Sequence, residues 1–77
     1  MQTFDTRDFY LAVALYSLGH QLIEIENTNP RRAVFKFGHD STINEHAELF
    51  FGNDLPYDIR TVLVNFRSLK DRLYAGV

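Results

Sequence analysis

Polar and apolar positions alternate with different periods along this chain, and the changes of period mark its elements. Phe9, Tyr10, Leu11, Ala12, Val13, Ala14, Leu15, Tyr16 and Leu18 form a nearly unbroken apolar run that closes at Gly19. Glycine supplies the left-handed residue that often ends a helix. Asp5 reads as an N-cap, with Phe4 and Phe9 in the positions of a hydrophobic staple, and Asp8 adds negative charge to the first turn. The pattern predicts a helix over 6–18. Because its apolar residues surround the axis and mark no single stripe, this helix needs cover on more than one side.

From His20 to Glu26 the period is two, with Gln21, Ile23 and Ile25 alternating against Leu22, Glu24 and Glu26. Arg32 to Phe37 repeats it with Ala33, Phe35 and Phe37. Asn27-Thr28-Asn29-Pro30-Arg31 between them is made of turn formers, so strands over 20–26 and 32–37 are predicted to pair as a β-hairpin. A five-residue loop sets Ile25 opposite Ala33, Ile23 opposite Phe35, and Glu26 opposite Arg32 as an ion pair. Further along, Thr42 and Glu45 have the spacing of a capping box, and Ile43, Ala47, Phe50 and Phe51 form a stripe closed by Gly52 and Asn53, which predicts a helix over 43–51. Pro56 suits the first turn of a last helix over 56–74, striped by Ile59, Val62, Leu63, Phe66, Leu69 and Leu73. The order is α-β-β-α-α. A lone hairpin needs a covered face, so the expected class is α+β, one antiparallel β-hairpin with helices packed across one face, in a single compact domain over 1–77.

Composition supports a packed core of that size. Seven Phe and four Tyr among 77 residues, with 45% hydrophobic residues, allow folding without a covalent or metal staple. No cysteine is present, which removes disulfides, zinc–thiolate sites, iron–sulfur clusters and thiol nucleophiles and suits a reducing compartment, so the expected location is cytoplasmic. The longest apolar run, Phe9 to Tyr16, is far shorter than the roughly 20 residues of a membrane helix, and no basic segment precedes it as in a signal peptide.

Candidate chemistry is sparse. His20, His39 and His46 stand among Asp40, Glu45 and Glu48, but there is no HExxH pattern and no His pair at helical spacing. They are expected to be structural or solvent-facing, with no metal and no cofactor; His20, next to Gly19, is placed to meet the free carbonyls of a helix end. Ser17, Ser41 and Ser68 lack a nucleophile elbow, and the isolated glycines make no phosphate loop. The expectation is a protein without catalytic residues or an evident small-molecule substrate.

Two binding readings follow. Net charge is −2, but its sign alternates: Arg31, Arg32 and Lys36 form a basic block, Asp40 to Asp58 an acidic one, and Arg60, Arg67, Lys70 and Arg72 a second basic one. Arg31, Arg32, Lys36, Arg60 and Arg67 are candidate contacts to a nucleic-acid backbone. The plainer account keeps these charges solvated, with Arg67 and Asp71 as an i,i+4 pair and Glu26 neutralising Arg32. The other reading starts from the first helix: Tyr10, Leu11, Ala14 and Leu18 are more apolar surface than one core face requires. They are expected either to complete the core or to meet a protein partner or a second copy of the chain.

The segments Thr6-Arg7-Asp8-Phe9-Tyr10-Leu11-Ala12, Leu18-Gly19-His20-Gln21-Leu22-Ile23, Asn29-Pro30-Arg31-Arg32 with Phe35-Lys36-Phe37, and Phe66-Arg67-Ser68-Leu69-Lys70 resemble a family of small bacterial and phage domains of unknown function, often encoded as short free-standing proteins. The resemblance spans most of the chain, rests on fold signatures, and brings no catalytic or ligand residues with it. It implies a compact domain from a bacterial, viral or mobile-element setting, with an accessory role near nucleic-acid processing.

Overall fold

The computed structural model describes residues 2–26, 32–52, 55 and 58–75. Its elements are β1 (Thr3–Thr6), α1 (Phe9–Ser17), β2 (Leu22–Glu26), β3 (Val34–Gly38), α2 (Ile43–Phe51) and α3 (Ile59–Ala75). The α+β class and the antiparallel β2–β3 pairing agree with the sequence reading. The N-terminal strand is an addition to it. Residues 27–31, predicted as the hairpin turn, and Pro56, predicted to open the last helix, lie outside the described residues.

The three strands form one sheet in the order β1-β3-β2, with β3 antiparallel to both neighbours. β1 and β2 therefore run parallel on either side of β3, and parallel strands must be joined by a crossover. α1 is that crossover. It lies between the sheet and the other two helices, which is why Leu11, Ala12, Val13, Ala14 and Leu15 are all buried and why its sequence is apolar all round.

β1 was hidden because it is four residues long and Thr-Phe-Asp-Thr offers a single large apolar residue. In the sheet Phe4 pairs with Phe37 and Asp5 with Lys36, so Phe4 packs on the core while Asp5 is exposed. Asp5 is consequently not the helix cap, and Phe4 is strand, not staple. Asp8 caps α1: its Oδ1 accepts from the backbone N–H of Tyr10 at 3.0 Å and of Leu11 at 3.2 Å. Asp8→Ala is expected to cost about 1 kcal/mol in urea denaturation, with Asp8→Asn largely retaining stability. Asp5→Ala should stay within about 0.5 kcal/mol of the parent. Equal losses at the two positions would assign the cap wrongly.

The β2–β3 register differs from the predicted one. Glu26 pairs with Val34, Ile25 with Phe35 and Glu24 with Lys36, two positions along β3 from the expected partners, and an irregularity between Leu22 and Glu24 lets Leu22 pair with Phe37. Such a bulge inserts one unpaired residue and reverses the in–out alternation beyond it. Leu22 and Ile25 thus reach the core while Ile23, expected inside, is 43% exposed. The ion pair forms with a different partner as well: Lys36 Nζ lies 2.9 Å from Glu26 Oε2.

The core gathers Leu11, Ala12 and Leu15 from α1, Phe35 and Phe37 from β3, Ile43 and Ala47 from α2, and Leu73 from α3. α3 is fastened to α1 by polar contact too: Asn65 Nδ2 donates to Ser17 Oγ at 3.0 Å, and Ser17 Oγ donates to the Val13 carbonyl at 2.7 Å. α2 begins as its sequence suggests, but without a capping box. Thr42 makes no side-chain cap, and Asp40 Oδ1 instead accepts from the N–H groups of Thr42 and Ile43 at 2.9 and 3.0 Å.

Candidate functional site

Two places concentrate side chains whose arrangement exceeds what packing alone requires. The first is the seam between α1 and α3. Phe9 opens α1 and meets Phe35 of the sheet with ring centroids 5.8 Å apart; Phe66 of α3 packs edge-on against Phe9 at 5.0 Å; Tyr10 stacks on Phe66 at 6.1 Å. A ladder of aromatic rings thereby runs from the core to the surface. Its outermost ring, Tyr10, is 66% exposed.

Clefts open on both sides of this ladder. One, of about 240 Å³, is lined by Phe9, Phe66, Lys70, Leu73 and Tyr74. The other, of about 170 Å³, is lined by Tyr10, Val13, Ala14, Phe50, Val62 and Phe66, all apolar but for the Tyr10 hydroxyl. Further apolar side chains adjoin the lining residues: Ile59 and Leu63 precede Val62 and Phe66 on the helix by three residues each, and Phe51 packs on Phe50. Phe51 and Ile59 are each 68% exposed and Leu63 62%. With Tyr10 they expose on the order of 500 Å² of side chain, shared among α1, α2 and α3.

Of the four α1 residues predicted for an interface, Leu11 and Ala14 are buried, Leu18 is half-buried and Tyr10 is exposed. Leu11 and Ala14 complete the core. The surplus apolar surface belongs mostly to α3 and the end of α2, where Ile59, Leu63 and Phe51 are outward-facing members of stripes whose other residues are buried or half-buried. A helical stripe read from sequence is wider than the buried face beneath it, so these three were counted as core.

The basic candidates are dispersed. Arg31 lies outside the described residues and Arg32 is exposed beside the β3 start. Lys36 stands in the middle of the outer sheet face, between its cross-strand partners Asp5 and Glu24. The hydrogen bond and charge of Glu26 raise its pKa, with Asp5 and Glu24 adding to the effect. Arg60 and Arg67 are exposed on α3, on the helical side of the molecule, away from the face that Lys36 shares with the acids. Among the described residues neither has an ion-pair partner, and the expected Arg67–Asp71 pair does not form.

The second place is a histidine cluster that no sequence spacing reveals, because its members come from three separate segments. His20, just after α1, is 8% exposed; its Nε2 lies 2.7 Å from Nδ1 of His46 on α2, and its Nδ1 lies 3.6 Å from Oδ2 of Asp40. The imidazole does not turn to the helix-end carbonyls; His20 instead uses its backbone N–H for that, donating to the Leu15 carbonyl at 3.1 Å. Burial pushes the His20 pKa down, Asp40 opposes this and His46 adds to it. Asp40 is held below the usual carboxylate range, chiefly by the Thr42 hydroxyl and backbone N–H.

At 2.7 Å the facing nitrogens are joined by one shared proton, one ring donating and the other accepting. Among the described residues no group of three or more His, Cys, Asp or Glu is placed to hold a metal ion. The cluster ties the α1–β2 turn, the β3–α2 loop and α2 together.

Among the described residues, no helix is long and apolar enough to cross a membrane. No curated protein and no solved structure matches the chain. A family model does match, from residue 1 to residue 75, covering every element described above, and the chain belongs to that family, the domain of unknown function DUF5659.

Proposed function

We propose that this protein is a small non-enzymatic binding module that engages another protein chain through the apolar seam of α1 and α3. The observation that carries the reading is the continuity of Tyr10, Phe66, Leu63 and Ile59 with the apolar cleft beside them. Apolar surface of that extent, held on a rigid helix pair and anchored to the core by the Phe35–Phe9–Phe66 ladder, is the form that helix-recognising grooves take. The setting we favour is the interior of a bacterial cell or of one infected by a phage, where a chain without cysteine is at no disadvantage.

Nucleic-acid binding through Arg31, Arg32, Lys36, Arg60 and Arg67 finds less support. Lys36 is neutralised by Glu26 within an acidic sheet face, and Arg60 and Arg67 lie on the other side of the molecule. A phosphate backbone needs a contiguous basic track.

A photo-reactive residue placed at Leu63 tests the reading, with the same residue at Asn44 on exposed α2 surface as control. Covalent adducts to protein at position 63, absent at 44 and lost when Tyr10 is changed to Ser, are the expected result. Equal labelling at both positions, together with a monomer at all concentrations, removes the basis for a protein-binding seam.

A further inference from the structure

The charge around the seam says which kind of protein segment fits it. On α3 the apolar line Ile59, Leu63, Phe66 is flanked on its outer side by Arg60 and Arg67 and continued by Lys70, which itself lines the cleft with Phe66 and Tyr74. The nearest acids are Asp58, whose carboxylate accepts from the Arg60 backbone N–H and the Thr61 hydroxyl, and Asp71, and neither forms an ion pair with Arg60, Arg67 or Lys70 among the described residues. Three cations that have no ion-pair partner among the described residues therefore border an apolar floor, in a chain whose net charge is −2. Arg60 and Arg67 are two helical turns apart, about 10 Å along the axis, which matches acidic residues seven apart on a helix lying alongside.

We propose that the α1–α3 seam receives an amphipathic helix whose apolar stripe is flanked by Asp or Glu. The inference rests on the protein-binding reading above and adds the chemistry of the partner. Its apolar side chains enter the cleft between Tyr10, Phe50, Val62 and Phe66, and its carboxylates lie against Arg60, Arg67 and Lys70. A second copy of this chain fits less well, since its own α3 would bring the same cations against one another.

The test uses two fluorescent helical peptides with one shared Leu/Ile stripe, one carrying Glu and the other Lys along the flank, titrated with the full chain. The Glu peptide is expected to bind at least tenfold more tightly, to weaken as salt rises, and to lose its advantage to the Lys peptide when Arg60→Glu and Arg67→Glu are combined. Because both arginines are exposed, the double variant is expected to fold, and circular dichroism checks this.

Equal affinity for the two peptides, or a preference that survives the charge reversal, overturns the proposal. Binding of a labelled oligonucleotide in preference to the Glu peptide overturns it as well. If neither peptide binds but the chain dimerises and Leu63→Ser makes it monomeric, the seam is still a protein-binding site and the acidic-helix assignment fails alone. If neither peptide binds and Leu63→Ser changes nothing, both readings fail.

Discussion

Replacing Phe37 with Ala is expected to remove about 3–5 kcal/mol of stability and leave the chain largely unfolded at 37 °C. Phe37 is fully buried on the central strand, where it stands between Phe4 of β1 and Leu22 of β2. Truncating it opens a cavity at a fully buried position that pairs with both edge strands. The surrounding side chains cannot collapse into that space, because the register of both ladders fixes the backbone around it. At roughly 0.05–0.15 kcal/mol per residue, a domain of this length has about 4–12 kcal/mol in total, so the expected loss removes a large share of it. The comparison is Phe51→Ser, at a ring that is 68% exposed, where a change within about 0.5 kcal/mol is expected. Urea denaturation followed by circular dichroism measures both. A Phe37→Ala chain that keeps its midpoint within about 1 kcal/mol of the parent would mean that the core does not centre on β3.

Mild acid should be the second large effect. The folded state holds His20 below its ordinary value of 6.5, mainly by burial, so below that pH the unfolded chain binds a proton that the folded chain resists. Stability is therefore full above about pH 6.5 and falls as pH drops towards the folded-state value. Asp40, held below 3.8, adds its own loss at more acidic pH, as its carboxylate is protonated and its bonds to Thr42 and Ile43 weaken. A neutral His20→Gln chain should show a flatter profile between pH 7.5 and 5. Its loss at neutral pH should be about 1–3 kcal/mol if the side chain no longer meets His46 Nδ1. Urea midpoints at a series of pH values decide the matter. A parent chain whose stability does not change from pH 7.5 to 5 would show that the imidazole pair carries no such linkage.

Both effects involve residues whose neighbours were only partly legible in the sequence. The helical elements were readable because each repeats its signal over two turns or more: the run from Phe9 to Tyr16, the stripe from Ile43 to Phe51 and the one from Ile59 to Leu73. β1 was not, since Thr3–Thr6 gives an alternation no longer than chance and its partner strand lies beyond a helix and another strand in sequence. Without β1 the burial of α1 had no explanation, and Leu11 and Ala14 looked like spare surface. Once the strand is in place the helix becomes an obligatory crossover, and those residues become interior.

The hairpin illustrates a different limit. Alternation showed that two strands pair, but the bulge at Ile23 and the register are decided by how Leu22, Ile25, Phe35 and Phe37 fit the helices above, which no local window contains. The His20–His46–Asp40 cluster is the extreme case. Its residue types were visible, and their meeting depends on three chain reversals. By contrast, Arg60 and Arg67 could be placed on an exposed helix from spacing alone, and only the absence of the Asp71 ion pair required coordinates.

The place of β1 at the sheet margin has a consequence for how the molecule behaves in company. Its four residues satisfy one whole side of β3, the strand that carries Phe35 and Phe37, and they are the last to be joined to it in sequence terms. A chain shortened to begin at Arg7 would leave the hydrogen-bonding groups along that side of β3 open, next to two of the most buried rings of the core. An open margin of this kind accepts whichever strand is at hand, including Thr3–Thr6 of an intact neighbour, so mixtures of shortened and intact chains should exchange strands and form linked assemblies. The short segment that was hardest to read from sequence is therefore the one whose loss is expected to open the central strand to other chains.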